Sequence, residues 1–229
     1  MLRISELYAS LQGEGLLVGT PSVFVRVSGC NLRCVFCDTP YASWAPEGDH
    51  RSVEQVAREV LALEPRHVVL TGGEPMIFPE AVELCRSLRE RDRHITIETA
   101  GTRTLPVICD LMSISPKLSN SDPDEARAGS WAVRHRERRE NLDVVRQLMR
   151  EYPYQLKFVV GQPGDLDEVT DYLARLGGAA PERTLFMPQG TDVATLAGVA
   201  EWLEPFCAER GFVFCPRKHI EWFGAGRGV

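Results

Sequence analysis

Short apolar or β-branched runs of four to seven residues recur along this chain, most of them followed by an amphipathic stretch long enough for a helix. That alternation narrows the fold sharply, because strands separated by helices pair in parallel through crossover connections. Residues 22–27, 67–71, 94–98, 110–114, 154–160, 184–187 and 212–215 read as strands. Ser52-Val53-Glu54-Gln55 carries a capping-box pattern, and Val53, Val56, Ala57, Val60 and Leu61 follow at helical spacing. Further helices are expected at about 79–91, with Ala81, Leu84, Cys85 and Leu88 on one face, and at about 141–150, 165–176 and 193–209. About six βα units are too few for a closed eight-unit barrel. The expected fold is α/β, a partial, open (β/α)6 barrel, with a doubly wound sheet as the alternative. Residues 118–140 break the rhythm and read as a polar insert in a single domain spanning 1–229. The basic run at 134–139 reads as a solvated helix face rather than a binding patch.

Composition narrows the function classes. The chain has 229 residues, 44% hydrophobic and 25% charged, which suits one globular domain and excludes a disordered tail or a collagen-like fibre. A net charge of −6 argues against a nucleic-acid binder. No apolar run approaches the roughly 18 residues of a membrane span, and Glu6 stands where a signal peptide would begin its apolar region. A cytoplasmic enzyme is expected. Seven cysteines are more than such an enzyme needs, and an odd number argues against a closed disulfide framework.

Cys85, Cys109, Cys207 and Cys215 lie among apolar neighbours and read as core packing, since a free cysteine behaves as a small hydrophobe. Cys30, Cys34 and Cys37 form a C-x3-C-x2-C cluster whose thiolates a short loop can turn toward one metal centre. A structural zinc site wants four protein ligands. His50 is available as the fourth, although its place in Gly48-Asp49-His50-Arg51 reads more simply as an exposed turn. An iron–sulfur cluster on three cysteines instead leaves one iron open to a substrate or cosubstrate. Spacing alone favours iron–sulfur only modestly.

Five polar groups follow predicted strands: the cysteine loop, Thr71-Gly72-Gly73-Glu74, Glu98-Thr99, Ser115-Pro116-Lys117 and Pro188-Gln189. In a parallel barrel those strand ends share the face where ligands bind. Gly13-x-Gly15 looks like a nucleotide loop but precedes a strand instead of following one, so a Rossmann site is not expected.

On these residues the chain resembles the radical S-adenosylmethionine (SAM) superfamily, through the cysteine triplet after the first strand and Gly72-Gly73-Glu74-Pro75 after the second. Leu11-Gln12-Gly13-Glu14-Gly15, Cys37-Asp38-Thr39, Thr71 to Pro75, Glu98-Thr99, Ser115-Pro116-Lys117 and the tail at 224–229 span nearly the whole chain. Together they resemble the 7-carboxy-7-deazaguanine synthase family. The resemblance implies a partial barrel of the radical SAM type and a carbon–nitrogen lyase of 7-deazapurine (queuosine) biosynthesis. Such an enzyme converts 6-carboxy-5,6,7,8-tetrahydropterin to 7-carboxy-7-deazaguanine, with ring contraction and loss of ammonia. It uses a [4Fe–4S] cluster, SAM and Mg²⁺.

The resemblance also implies residue roles. Cys30, Cys34 and Cys37 would ligate the cluster and Thr39 would help bind Mg²⁺. Phe36, Cys37, Asp38, Gly73, Ser115, Pro116, Lys117 and Gln189 would hold SAM, the glycines by letting backbone carbonyls approach its ammonium. Leu11, Gln12, Gly13, Arg26, Thr71 and His219 would contact the pterin, Arg26 through its carboxylate. The implied partners are a flavodoxin-type or other reductant and a second copy in a homodimer, with no nucleic acid and no membrane. Structural roles compete at several positions. Arg26 could be an ion-paired surface residue, Thr71 and Ser115 helix caps, Glu98 a partner of Lys117, and His219 a surface histidine. Ala225 stands where the family pattern suggests a polar residue. The competing functions are a glycyl-radical activating enzyme and a zinc-stabilised binding module.

Overall fold

A computed structural model describes residues 1–224 and 226–228, so Ala225 lies outside the described residues. From the N-terminus the elements are β1 (Leu2–Leu11), β2 (Pro21–Val27), α1 (Pro40–Ser43), β3 (Asp49–Arg51), α2 (Val53–Leu61), β4 (His67–Gly72), α3 (Glu80–Arg89), β5 (His94–Thr99) and β6 (Leu111–Ile114). There follow α4 (Glu125–Ala128), α5 (Ser130–Arg138), α6 (Leu142–Glu151), β7 (Tyr154–Val160), α7 (Asp165–Leu176), β8 (Thr184–Pro188), α8 (Val193–Arg210), β9 (Val213–Phe214) and α9 (Lys218–Phe223). All strands join one sheet in the order β3-β1-β2-β4-β5-β6-β7-β8-β9.

From β2 to β9 every pair is parallel and the spatial order follows the chain. A doubly wound sheet has a point where strand order reverses. None occurs between β2 and β9, so that alternative falls. Right-handed crossovers without a reversal keep the helices on one face, and β9 does not pair back to β3 among the described residues. The sheet is therefore an open, partial barrel.

Two strands differ from expectation. No element is expected before residue 22 from the sequence, yet β1 runs antiparallel to β2 and carries β3 on its outer edge. A bulge between Ile4 and Glu6 explains why the alternation was hard to see. Leu2 and Ile4 point into the core, and the extra residue flips the parity so that Leu7 packs there as well. Glu6 and Tyr8 consequently turn to the opposite face, where Arg26 lies. The segment from Gln12 to Thr20 is then a hairpin loop, held by Gln12 N–H to Thr20 O (3.0 Å) and Gly19 N–H to Gln12 O (2.7 Å). The Gly13-x-Gly15 motif thus does follow a strand.

Alternate strand residues build the core. Val23, Val25, Val27, Val68, Leu70, Ile95, Ile97, Met112, Ile114, Leu156, Phe158 and Val160 are buried against Val56, Val60, Leu84, Leu88, Leu148, Val169 and Leu203 from the helices. Each such side chain stabilises the fold by roughly 1.5–3 kcal/mol on burial. Period two sends the intervening residues, among them Arg26, Thr71, Glu98, Ser113, Gln155 and Lys157, to the face away from the helices. The insert forms a short turn followed by α4 and α5 in the crossover from β6 to β7.

Candidate active site

The cysteine loop leaves β2 and ends in α1. Gly29 N–H donates to Ala42 O (2.8 Å), Gly73 N–H to Val27 O (2.9 Å) and Glu74 N–H to Gly29 O (2.9 Å), so the glycine motif after β4 is seated on the cysteine loop. Gly72 has φ +130°. A Cβ on Gly73 would collide with the carbonyl oxygens of Gly29 and Ala42, the latter at 2.5 Å. Packing between the two loops therefore already demands glycine there, before any ligand approaches. Glu74 is fully buried and accepts from Thr99 Oγ1 (2.8 Å), Ala100 N–H (2.8 Å) and Met76 N–H (3.0 Å), with burial pushing its carboxyl up from the usual range.

Cys30, Cys34 and Cys37 are free thiols. Burial pushes Cys34 up to about 12 and raises Cys30 as well, so a metal must displace their protons. Three soft sulfur donors on one loop suit an iron–sulfur cluster. Among the described residues no three histidines, cysteines or acids are grouped to hold a single metal ion. A four-iron cluster takes one thiolate per iron and keeps its ligands apart, which accommodates that spacing. His50 lies exposed on the edge strand β3 opposite Arg3, which takes the proposed fourth ligand out of the zinc reading. Thr39 caps α1 by position, but its hydroxyl makes no capping bond and lies 3.8 Å from Cys37 Sγ.

The other side of the site is the polar face of the sheet. Arg26, with its side chain 16% exposed, donates to Glu6 Oε2 (2.5 Å) and Tyr8 Oη (3.3 Å), and Tyr41 Oη donates to the same Glu6 oxygen (2.7 Å). It is ion-paired, yet on the inner face rather than the surface. Thr71 Oγ1 donates to Glu98 Oε2 (2.7 Å), and Ser115 Oγ accepts from Lys117 Nζ (2.8 Å), so neither hydroxyl serves as a helix cap here. Glu98 does not pair with Lys117; its cation is Lys157, at 3.4 Å. Gln155 bridges Ser113 Oγ (2.8 Å) and the amide of Leu16 (2.8 Å).

Three distant parts of the chain meet over this face. Glu14 from the β1–β2 loop pairs with Lys157 and with Arg217 Nε (3.0 Å). Arg217 also pairs with Asp38 and donates to Gly190 O (2.6 Å). Burial opposes the charge on Glu14, but Lys157 and Arg217 hold its carboxyl well below the ordinary range, and Glu14 and Glu98 raise Lys157 in turn. His219 Nδ1 lies 3.9 Å from Glu14 and its ring closes on Gly13, where a Cβ would meet it at 2.5 Å. Gln12 is buried and donates to Ser22 Oγ (2.9 Å), while Leu11 ends β1.

Phe36 packs on an apolar patch of Val159, Leu185, Met187 and Cys215 on the same face. Pro116 is buried beside Ser115, and Gln189 follows β8 with its amide on Val160 O (2.8 Å). Most of the expected site residues thus surround one mouth at the C-terminal ends of β2, β4, β6 and β8; Leu11 and Gln12 instead lie beside Pro21 and Ser22, at the start of β2. Glu6, Tyr8, Tyr41, Gln155, Lys157 and Arg217 also stand in the site and were not among the expected residues. Lys157 and Gln155 interrupt the otherwise apolar run Leu156, Phe158, Val159, Val160, and that interruption was the available signal. Arg217 offered none.

Comparison with known proteins agrees with this geometry. A model of the radical SAM superfamily matches residues 24–176. A 7-carboxy-7-deazaguanine synthase of Rhodopirellula baltica is 47% identical over 229 residues, covering 100% of this chain and 89% of that protein. The protein of the same name from Halobacterium salinarum is 43% identical, covering 96% and 89%. Among solved structures, QueE from Escherichia coli superposes with a TM-score of 0.69 over 95% of this chain and 94% of that one, at 24% identity.

Proposed function

The chain belongs to the 7-carboxy-7-deazaguanine synthases of the radical SAM superfamily, and we propose that it makes 7-carboxy-7-deazaguanine from a 6-carboxylated tetrahydropterin at the mouth described above. Membership implies a [4Fe–4S] cluster and SAM. When bound, that pair supplies one electron and a carbon-centred radical able to take a hydrogen atom from substrate. Cys30, Cys34 and Cys37 would hold the cluster. The observation that carries this reading is the backbone coupling of the cysteine loop to the Gly72-Gly73-Glu74 loop, beside the charged face bearing Arg26 and Lys157.

The protein's own groups have definable work there. Phe36 and its apolar patch offer a surface for the adenosine side of SAM, with Gly73, Ser115, Pro116, Lys117 and Gln189 around its polar end. Arg26, pre-aligned by Glu6 and Tyr8, faces the substrate carboxylate, and Thr71 with Gln12 orients the ring. Glu98 and Glu14 can accept from the N–H edges of a pterin. Gly13 and His219, packed on each other, close the mouth and exclude water, which a radical requires, while Leu11 with Gln12 would line the far end of the pterin site. Thr39 supplies an oxygen ligand for Mg²⁺, a hard cation that favours oxygen. We read the chain as one domain with one insert, acting as a homodimer in the reducing cytoplasm with a flavodoxin-type or other reductant. No helix among the described residues is long and apolar enough to cross a membrane.

Anaerobic reconstitution tests the proposal. The protein should turn brown, bind about four irons per chain, and form a deazapurine absorber from carboxytetrahydropterin, SAM, Mg²⁺ and dithionite. Release of 5′-deoxyadenosine with no deazapurine would overturn it in favour of another radical substrate, such as a glycyl-radical partner. A colourless protein holding one tight zinc would overturn the radical chemistry altogether. His50→Ala should keep its iron.

A further inference from the structure

The insert has no part in the chemistry proposed above, yet it is built onto the cysteine loop. Val35 N–H donates to Ser121 O (2.9 Å), and Arg33 N–H donates to Nδ1 of the fully buried His135 (3.0 Å). Nε2 of the same ring lies 3.0 Å from Ser121 Oγ. From α1, Trp44 Nε1 donates to Cys34 O (3.0 Å).

Outside these contacts, some of the cations are paired and others are not. Arg136 is paired with Glu125, and Arg139 with Asp122 and Glu168. Arg33, Arg127, Arg134 and Arg138 make no ion pair among the described residues, and α5 contains a single acid, Glu137. All four lie over tryptophan. Arg33, Arg134 and Arg138 are 3.9, 5.3 and 6.0 Å from the Trp131 ring centre, and Arg127 is 4.2 Å from that of Trp44. Arg127 Nη1 also reaches Val35 O (3.5 Å), and Val35, exposed between Cys34 and Cys37, continues the surface. In a chain of net charge −6, these four guanidiniums over aromatic rings outnumber the two acids of the segment that also lack an ion pair among the described residues, Asp124 and Glu137, and leave a local positive excess. Arginine and tryptophan are also the commonest anchors of protein interfaces.

We propose that Arg33, Arg127, Arg134 and Arg138, with Trp44 and Trp131, form the docking surface for an acidic one-electron carrier protein. The inference rests on the radical SAM reading, which requires an electron to reach the centre on the cysteine loop. On its mouth side the loop is occupied, with Phe36 in the apolar patch and Asp38 on Arg217. Its insert side carries the unpaired positive charge and exposes Val35. The reduced carrier gives up one electron, the thiolate-held centre gains it, and no covalent bond forms or breaks between the proteins. Charge complementarity selects an acidic carrier, and docking here leaves the substrate mouth free.

The test uses reduced flavodoxin as the acidic probe, dithionite as the small reductant and a single-stranded oligonucleotide as a competing polyanion. Binding of flavodoxin to the purified wild-type protein should weaken about tenfold or more as salt rises from low to physiological levels. Arg134→Glu/Arg138→Glu should raise both the directly measured Kd and the flavodoxin concentration for half-maximal turnover about tenfold, with the dithionite-driven rate unchanged. If that variant does not fold, Arg134→Gln/Arg138→Gln should show a smaller shift in the same direction. An unchanged Kd in the folded variant, salt-independent wild-type binding, or binding of the oligonucleotide but not flavodoxin would each overturn the proposal. Absence of dithionite-driven turnover in the wild type overturns the reaction instead, and the binding measurements still decide the docking.

Discussion

Lys157 sits inside an apolar strand with a side chain only 6% exposed, and its charge persists there because Glu14 and Glu98 flank it. Removing one member of a buried ion pair leaves its partner uncompensated, which costs about 3–5 kcal/mol. Lys157→Met should therefore lower the unfolding free energy of the cofactor-free protein, measured by urea titration, by that order, and a loss under about 1 kcal/mol would show that Arg217 alone satisfies Glu14. His135 makes a pH-dependent contribution. Burial, with Arg139 nearby, lowers its folded value to about 4 from the ordinary 6.5. The unfolded chain then binds the extra proton first, so stability is intact above about pH 6.5 and declines as pH falls toward 4, by up to about 3 kcal/mol. Melting curves of the wild type and His135→Asn between pH 7 and 4.5 should converge on acidification. Parallel curves would show that His135 is not the titrating group. The residues of the motifs were legible because their spacing is local. Lys157 was visible as a polar break in a strand, but its partner lies 143 residues away, and no pattern in one strand names the loop that will cover it.

At the scale of elements, the tightest joint is between the two loops after β2 and β4. Gly73→Ala places a methyl against two backbone carbonyls that cannot rotate away. Overpacking of that kind costs roughly 1–3 kcal/mol, and the displaced part is the cysteine loop. Thermal unfolding of the cofactor-free variant and its iron content after reconstitution should both fall. A variant with full iron content would mean that the loops can part without disturbing the thiols. The seven parallel strands were readable because each is a short apolar or β-branched run, and all but β5 are followed by a helix. β1 was not, since its bulge replaces steady alternation with a step of three between Ile4 and Leu7. That one extra residue delivers Glu6 and Tyr8 to Arg26, so an irregularity that hides the strand also builds part of the site.

Over the whole molecule, the sheet is left open and the mouth is fastened by side chains. Arg217, from beyond the last strand, clasps Glu14 and Asp38, and Lys218 N–H donates to Gly13 O (2.9 Å). Arg217→Ala should raise amide hydrogen exchange in the Gln12–Thr20 loop while leaving β4 and β5 protected, measured by mass spectrometry. Unchanged exchange in that loop would show that the backbone contact suffices. The sequential order of the parallel strands has a further consequence for biosynthesis. Each βα unit emerging from the ribosome can add to an edge that already exists, beginning from the β1–β2 hairpin. The cysteine loop, its glycine brace and the insert are all complete once β7 is made. The clasp at Arg217 is translated some sixty residues later. Until then Asp38, next to the last cysteine, lacks its Arg217 partner, and the cysteine loop is fastened only by its glycine brace and the insert.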